Sequence, residues 1–262
     1  MNHLKDVVRA IRGETVAPGP AAIGTTVGPQ SEVRFLAGAG FDFLLFDTQH
    51  ASVDIKDLGP AIAQTRGTGA SPVVRVGDNR PELICYALDA GAKGIIVPMV
   101  NTAEEADRMV RACKYHPAGI RSNSGIRGEW GEFDSYRAFM DAVNDELVII
   151  PMIETIEAME QIDEILDVPG IDVLLVGPSD LSIALDVPLE YDHPRYIEAL
   201  DAIAAACRRH GVVPGMYFIP PGMEPAFFIQ KGFRLFTVPW AEWATQGIQS
   251  GLGSLRSAKP YR

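Results

Sequence analysis

Eight short apolar runs recur along the chain, and segments with helical periodicity separate them. Most of the runs are continuous rather than alternating, as is typical of parallel strands that are covered on both faces. They lie at 21–28, 41–50, 71–77, 94–100, 148–155, 171–176, 212–218 and 233–240. Eight such strands alternating with helices predict an α/β fold, the closed (β/α)8 TIM barrel.

Helix signals stand between these runs. The segment 102–114 begins with Thr102, which can cap a helix, carries two glutamates in its first turn, and ends with a basic residue. Segments 156–167 and 194–210 have a similar periodicity. Glycine-containing pairs precede several strands, where helix C-terminal turns are expected, at 38–40, 91–92 and 169–170.

An open, doubly wound sheet is the main competing architecture. Such a sheet usually carries a glycine-rich phosphate loop after its first strand, but the sequence there, TTVGPQ at 25–30, contains no GxGxxG pattern. We find no linker and no change of composition along the 262 residues. Because single-domain α/β barrels commonly run to about 250 residues, we expect 1–262 to form one barrel domain with an N-terminal helix and a C-terminal helical segment.

The net charge argues against two classes of partner. The 23 basic and 34 acidic residues give a formal net charge of −11, which is a poor match for nucleic-acid phosphates or an anionic membrane surface. The apolar runs are far shorter than a membrane span, and the N-terminal segment lacks the apolar core of a signal peptide. No CxxC motif exists among Cys85, Cys113 and Cys207, so a reducing, cytoplasmic location is expected.

Polar side chains stand at the ends of several predicted strands, where barrel enzymes place their active groups. One polar residue after an apolar run is common and compatible with a structural role, but several ends with complementary chemistry favour a shared site. These residues are Asp47, Thr48, Gln49 and His50 after the second strand, Arg75 in the third, Glu154 after the fifth, and Gly177, Pro178, Ser179 and Asp180 after the sixth.

Glu154 and Asp180 follow neighbouring strands, whose axes lie about 4.8 Å apart in a parallel sheet. Two carboxylates this close repel each other unless a proton or a cation lies between them. A hard divalent ion satisfies them, and Mg²⁺, Mn²⁺ or Co²⁺ suits the pair better than Zn²⁺ because no cysteine or histidine lies in the immediate motif. The alternatives are structural: a helix cap or first-turn charge for Glu154, and a helix cap for Asp180.

Arg75 and His50 add a cation and a proton-transfer group. A guanidinium near the metal can hold a carboxylate or a developing enolate; the alternative role for Arg75 is a buried ion pair that braces the barrel. His50 is the histidine at a strand end and a candidate general acid or base, oriented by Asp47 or by a more distant carboxylate. Backbone N–H groups of Ser179 and Asp180, where a strand gives way to a helix, can bind a small carboxylate.

Lysine chemistry is the rival route, because a Schiff base also stabilises an enamine or enolate. The six lysines are Lys5, Lys56, Lys93, Lys114, Lys231 and Lys259, and none falls at the carboxyl end of a predicted strand. Metal-assisted enolate chemistry is therefore favoured.

The longest irregular segment spans 115–134 and carries Arg121 and Arg127. Its length and its two arginines favour an active-site loop. A plain surface excursion is the equally weighted alternative.

Five longer motifs stand out: FDFLLFDTQHASVD at 41–54, VVRVGD at 73–78, LDAGAKGIIVPMVNTAEEA at 88–106, GIRSN at 119–123 and MIETIEAMEQIDEILDVPGIDVLLVGPSDLS at 152–182. Together they resemble the HpcH/HpaI aldolase family, the metal-dependent class II pyruvate aldolases, over nearly the whole chain. The last motif is the most specific, because it joins the metal glutamate to GID and to GP-small-DLS. The resemblance implies a barrel that acts as a pyruvate aldolase.

The resemblance also assigns roles at the metal and keto-acid site. It implies that Glu154 and Asp180 are the metal ligands. It implies that the turn 177–180, chiefly Ser179 and Asp180, provides the backbone site for the pyruvate carboxylate. Arg75 resembles the arginine that stabilises the pyruvate enolate.

A proton-transfer pair shared between subunits is implied as well. His50 resembles the family's acid/base histidine, and Asp89 resembles its aspartate partner, which in this family comes from a neighbouring subunit. Asp47 matches an aspartate near the aldehyde end of the substrate. Family members are typically hexamers of barrels with an exchanged C-terminal helix, so a homo-oligomer, either a trimer or a hexamer, is expected.

Two positions depart from the family pattern. Gln49 stands where a glutamate often precedes the histidine, which removes a negative group near the metal water. Met152 stands where a glutamine is often found two residues before the metal glutamate, which replaces a polar contact with an apolar one. Both changes bear on the acceptor and the reaction, and neither touches the metal pair or Arg75.

The leading hypothesis is a divalent-metal-dependent aldehyde-lyase that reversibly cleaves 2-keto-4-hydroxy acids to pyruvate, or hydroxypyruvate, and an aldehyde through a metal-bound enolate. The alternatives with the same metal chemistry are a decarboxylase of oxaloacetate similar to macrophomate synthase and a lyase acting on CoA thioesters. No CoA phosphate site or strong basic cluster is apparent, which disfavours the latter. A non-catalytic keto-acid binder is the alternative of a different class.

Overall fold

Eight parallel strands close into a barrel in the computed structural model, which describes residues 2–14, 21–28, 30–51, 53–125 and 128–257. Each strand pairs with the next along the chain, and the last pairs with the first. The strands are β1 Ala22–Val27, β2 Phe43–Asp47, β3 Ser71–Arg75, β4 Gly94–Val97, β5 Val148–Ile153, β6 Val173–Val176, β7 Val213–Met216 and β8 Leu235–Thr237. This confirms the predicted (β/α)8 barrel and excludes the doubly wound sheet.

Helices cover the outside of the barrel and its amino end, except for the last one, Trp240–Ser257, which has no buried residue. They are α1 His3–Ile11, α2 Val33–Ala37, α3 Gly59–Ala63, α4 Pro81–Ala90, α5 Ala103–Cys113, α6 Tyr136–Glu146, α7 Ile156–Glu160, α8 Ile162–Leu166, α9 Pro178–Ala184, α10 Pro194–His210, α11 Pro225–Lys231 and α12 Trp240–Ser257. Short 3-10 turns lie at Ile55–Leu58 and Gly128–Trp130. Among the described residues, no helix is long and apolar enough to cross a membrane.

Local sequence signals set the helix ends as predicted, with one difference. The Thr102 side chain accepts a hydrogen bond from the backbone N–H of Glu105 and caps α5. Gly91 ends α4 with a left-handed backbone (φ 112°), which glycine adopts without strain. The predicted helix at 156–167 is instead two short helices, because the backbone at Gln161 leaves the helical region (φ −108°, ψ 18°).

The continuous apolar runs are explained by two cores, one inside the barrel and one between the strands and the helices. In β5, Val148, Ile150 and Met152 point into the interior cluster, whereas Ile149 and Ile153 join the outer one. A strand that is buried on both faces has no position for an exposed polar residue, so its sequence does not alternate.

The N-terminal helix closes the amino end of the barrel. Leu4 and Val8 of α1 are fully buried and belong to the interior cluster. The side chain of Asn2 donates to the backbone oxygens of Lys93 and Glu146 at 2.8 and 2.7 Å and accepts from the Ser71 hydroxyl at 2.7 Å. With one end sealed in this way, the carboxyl end is the open end, as in other barrels of this kind.

Candidate active site

Arg75 is the centre of a buried polar cluster at the carboxyl end of the barrel. Its Nε and Nη2 atoms donate to the two carboxylate oxygens of Asp47 at 2.8 and 2.6 Å. Nη2 also donates to the Tyr217 hydroxyl at 2.8 Å, and the guanidinium carbon lies 4.1 Å from the centroid of the Tyr217 ring. These contacts fix the guanidinium and leave the Nη1 edge, which lies 3.9 Å from the weakly accepting sulfur of Met152. The expectation that the departure at Met152 does not touch Arg75 is therefore wrong.

The Arg75–Asp47 pair stays charged despite its burial. Burial opposes the charged form of Asp47, but the hydrogen bonds and the charge of Arg75 hold the pKa of Asp47 below its usual value. Burial likewise opposes the charged form of Arg75, and Asp47 raises its pKa. Arg75 therefore does form the buried ion pair that the sequence analysis gave as its structural role. The same ion pair also orients the Nη1 atom, which Asp47 and Tyr217 do not contact.

Glu154 is a buried carboxylate beside this cluster, only 3% exposed, directly after β5. Its Oε1 accepts a hydrogen bond from the backbone N–H of Met99 at 2.9 Å. Burial raises the pKa of Glu154, and the charge of Asp180 raises it further. Thr155, not Glu154, caps α7, so the capping alternative for Glu154 is excluded.

Asp180 lies opposite Glu154, in the first turn of α9 at the end of β6. Its side chain is exposed, and the cap of α9 is Gly177, so Asp180 is not the helix cap. A side chain at position 177 would overlap Oε2 of Glu154, which explains why glycine stands between the two carboxylates. β5 and β6 are paired up to Ile153 and Val176, so both carboxylates project from one edge of the sheet.

These features fit a divalent cation. Glu154 is buried and forms no ion pair within 4.0 Å among the described residues; the charge of Arg75 favours its ionised form, but burial and Asp180 outweigh it, so the pKa of Glu154 stays raised. No third acidic, histidine or cysteine side chain joins the pair in the described part of the chain. A hard ion held here by Glu154 and Asp180 would therefore take its remaining oxygen ligands from water and substrate.

The turn that follows β6 supplies backbone donors next to these carboxylates. Pro178 is the first residue of α9 and has no N–H to donate. The N–H groups of Ser179 and Asp180 stand in the first turn of the helix, where no intrahelical acceptor exists. The Ser179 hydroxyl lies 3.3 Å from the hydroxyl of Tyr191.

His50 and Asp89 lie at different places in one chain. His50 is exposed at the barrel mouth, and its ring has no hydrogen bond or ion pair with any described residue. Asp89 is near the C-terminal end of α4, where it accepts from the Ser124 hydroxyl at 2.6 Å and lies 3.5 Å from Nη2 of Arg121. In a βα barrel this end of a helix faces the amino ends of the strands, so one subunit does not bring the predicted His50–Asp89 pair together.

The described part of the segment 115–134 packs against the outer helices. The Arg121 guanidinium stacks on the ring of Tyr115 at 4.6 Å and approaches Asp89. Trp130 is buried beside Lys93, at the amino end of β4. These residues therefore do not cover the mouth of their own barrel. The prediction for Arg127 falls outside the described residues.

Two residues of this site escaped the sequence analysis. Tyr217 directly follows β7, so it meets the same criterion as the predicted site residues, a polar side chain at the end of a strand. Met99 contributes its backbone N–H group, which donates to Glu154. The φ of Met99 is positive, at 54°, and nothing in the sequence predicts this conformation. The lysine prediction stands for the described residues: Lys5, Lys56, Lys93, Lys114 and Lys231 all lie away from the carboxyl ends of strands.

Comparison with known proteins gives a consistent result. The model of the HpcH/HpaI aldolase/citrate lyase family matches residues 30–238. A 4-hydroxy-2-oxo-heptane-1,7-dioate aldolase of Escherichia coli is 34% identical over 200 residues, covering 76% of each chain. A 2-keto-3-deoxy-L-rhamnonate aldolase of Escherichia coli O9:H4 is 35% identical over 217 residues, covering 80% of this chain and 79% of the relative.

A solved structure extends the similarity to the whole fold. An HpcH/HpaI aldolase/citrate lyase family protein from Burkholderia cenocepacia superposes with a TM-score of 0.81 and 29% identity, covering 98% of this chain and all of the other. Sequence match and three-dimensional match thus point the same way. The chain belongs to the HpcH/HpaI aldolase/citrate lyase family, and it is an aldehyde-lyase of the class II pyruvate aldolase type.

Proposed function

We propose that the chain reversibly cleaves 2-keto-4-hydroxy acids to pyruvate, or a close relative such as hydroxypyruvate, and an aldehyde. The observation that carries the proposal is the orientation of Arg75. Asp47 and Tyr217 occupy its Nε and Nη2 atoms, so the Nη1 edge is left for an oxygen that becomes negative during the reaction. The aldolase names of two relatives support the same class of substrate.

Glu154 and Asp180 are the proposed ligands of a divalent ion, Mg²⁺, Mn²⁺ or Co²⁺. When bound, such an ion supplies Lewis-acid polarisation of the keto acid. The carboxylate of the keto acid is oriented by the backbone N–H groups of Ser179 and Asp180, with Gly177 and Pro178 shaping the turn.

The cleavage step moves one proton and one pair of electrons. His50 accepts the proton of the C4 hydroxyl, the C3–C4 bond breaks, and its electrons form the enolate of pyruvate while C4 becomes the aldehyde carbon. Nη1 of Arg75 donates hydrogen bonds to the C2 oxygen as its charge grows. A proton from solvent then adds to C3, which gives pyruvate, and His50 returns the proton that it accepted to solvent.

A homo-oligomer, either a trimer or a hexamer, is part of this proposal. Asp89 of one subunit is proposed to orient His50 of its neighbour, because within one chain Asp89 lies near the end of α4 and contacts Ser124 and Arg121 of the loop after α5 instead of His50. Asp47 is proposed to act twice, by holding Arg75 and by lying near the aldehyde end of the substrate.

Removal of metal tests the proposal. We expect EDTA to abolish cleavage of a 2-keto-4-hydroxy acid, and Mg²⁺, Mn²⁺ or Co²⁺ to restore it. Arg75→Ala should also lose exchange of the pyruvate methyl protons with solvent, followed by NMR in D₂O. Full activity in the presence of EDTA would contradict the metal role, and retained exchange would contradict the role of Arg75.

The same preparation separates the alternatives. Oxaloacetate decarboxylation that is faster than aldol cleavage would favour the decarboxylase. Tight pyruvate binding without exchange of its methyl protons would favour a non-catalytic binder.

A further inference from the structure

Asp89 occupies an electrostatically unfavourable position in α4. It lies in the last turn of this helix, which carries no basic residue, and the exposed backbone carbonyls at a helix C-terminus repel a carboxylate. Three side chains of α4 and of the loop after α5 contact its oxygens, namely Cys85, Arg121 and Ser124. A residue that opposes its own helix and is supported by others is typical of a functional position.

The donors are distributed unequally over the two oxygens of this carboxylate. The Ser124 hydroxyl donates to Oδ1 of Asp89 at 2.6 Å, and Nη2 of Arg121 lies 3.5 Å from the same oxygen. Among the described residues, Oδ2 meets only the thiol of Cys85, at 3.8 Å. A thiol is a weak donor, so Oδ2 keeps the capacity to accept a strong hydrogen bond.

Arg121 gives the cluster a rigid base. Its side chain is only 2% exposed, and its guanidinium stacks on the ring of Tyr115, 4.6 Å from the centroid. Within the part of the chain that the structure describes, its Nε and Nη1 atoms have no hydrogen-bond partner, and Asp89 is the one carboxylate within 4.0 Å. A buried cation without a counter-charge is costly, so the carboxylate of Asp89 stays beside Arg121.

A turn in the loop fixes Ser124. The backbone N–H of Gly125 donates to Oδ1 of Asn123 at 3.0 Å, and Gly125 has a left-handed backbone with a φ of 95°. This turn holds the Ser124 hydroxyl against Oδ1 of Asp89. Because Arg121 and Ser124 both contact this one oxygen, they restrict rotation of the carboxylate, and Oδ2 keeps a defined direction.

We infer that Ser124 is a positioning residue for proton transfer. Together with Arg121 it holds Oδ1 of Asp89. This arrangement leaves Oδ2 to accept a hydrogen bond from the ring of His50 in the neighbouring subunit, which orients the imidazole and stabilises it when it takes up a proton. The inference rests on the proposed function, in which two subunits share this pair, and it adds the residue that sets the geometry of the pair. The Asp89 side chain is 25% exposed, so part of it remains accessible to a neighbouring chain.

A double-mutant cycle separates positioning from a merely structural role. Wild type, Ser124→Ala, Asp89→Ala and the double variant are compared, with Mn²⁺, in the cleavage of 2-keto-4-hydroxypentanoate to pyruvate and acetaldehyde. We expect Ser124→Ala to lower kcat by about tenfold and to leave KM within about twofold, because Ser124 does not touch the keto acid. In the Asp89→Ala background the same change should alter kcat by less than about twofold, because no carboxylate is left to position. Asp89→Asn completes the cycle if Asp89→Ala does not fold.

Two further variants are matched controls. Ser124→Thr keeps the hydroxyl and should keep kcat within about threefold of wild type. Ser122→Ala is the same change at an exposed serine of the same loop, which has no described contact with Asp89, and it should keep the wild-type kcat. Size-exclusion chromatography with light scattering should give the same oligomer for every variant.

The outcomes distinguish failure of the inference from failure of the proposed function. An equal loss of kcat on Ser124→Ala with and without Asp89 would mean that Ser124 only stabilises the loop. A loss of kcat that accompanies dissociation of the oligomer would assign the effect to assembly. Either result, or wild-type kcat in Ser124→Ala beside a loss in Asp89→Ala, overturns the inference alone. Wild-type kcat in Asp89→Ala contradicts the shared pair of the proposed function and the inference with it.

Discussion

Two buried carboxylates, one at each end of the barrel, are satisfied to very different degrees. At the amino end, Asp172 accepts from Lys5 at 2.6 Å and from the backbone N–H of Ile149 at 3.0 Å. At the carboxyl end, the equally buried Glu154 accepts from one backbone N–H and faces a second carboxylate, Asp180. Asp172 at the amino end therefore stabilises the fold. At the carboxyl end, the burial of Glu154 beside Asp180 is electrostatically unfavourable, and a bound cation would reduce this unfavourable energy.

The cations that neutralise Asp172 at the amino end come from α1 and the residue that follows it. Besides Lys5, this end brings Arg12, whose Nη2 donates to the backbone oxygen of Asp172 at 2.6 Å and whose Nη1 lies 3.5 Å from its carboxylate. A buried carboxylate with two cations and a backbone donor is fully satisfied, so it stabilises the closed barrel rather than inviting a ligand.

The largest expected effect on kcat comes from removing the charge of Glu154 at the carboxyl end of the barrel. Glu154→Gln should lower kcat by on the order of 10³, because it removes one of the two proposed metal ligands. Its thermal midpoint in EDTA should stay unchanged or rise, since an unpaired buried charge is lost. Steady-state kinetics and thermal unfolding in chelator measure the two effects.

A matched control lies three residues away. Glu157 is exposed on α7, so Glu157→Gln should keep both kcat and the midpoint. A marked fall in the midpoint of Glu154→Gln without metal would show that Glu154 stabilises the fold and would remove the contrast between the two ends.

Removing the charge of Asp172 at the amino end should instead lower stability and leave kcat unchanged. Asp172→Asn leaves Lys5 without its buried counter-charge and should cost about 3 kcal/mol in the free energy of unfolding, with kcat of the folded protein retained. Denaturant unfolding and kinetics on the same sample measure this. Asp167→Asn, at an exposed carboxylate, is the control. A loss of kcat at unchanged stability would mean that the amino end also takes part in the reaction.

The contrast between the ends also explains what the sequence could predict. The strands were predictable because burial on both faces imposes continuous apolar runs, as in β5. Arg75 and Glu154 could be found because each ends or follows such a run. Met99 could not, because its contribution is a backbone N–H set by a positive φ. The proposed role of Asp89 could not be found either, because it depends on a contact with His50 of a neighbouring subunit.

The smallest of these effects should come from Tyr217, which touches Arg75 without carrying charge. Tyr217→Phe keeps the ring against the guanidinium but removes the oxygen that accepts from Nη2 at 2.8 Å. Asp47 still holds Arg75 by two hydrogen bonds, so kcat should fall by about tenfold and stability should change little.

Tyr217→Leu is the sharper partner variant because it removes the aromatic face as well. We expect it to lower kcat further than Tyr217→Phe, since Arg75 then loses both restraints from β7 and its Nη1 edge is aimed less firmly. Pyruvate proton exchange should fall in parallel, because the enolate oxygen is the group this edge serves. Equal rates of exchange in wild type and both variants would show that Tyr217 does not position Arg75, and Asp47 alone would then hold the guanidinium.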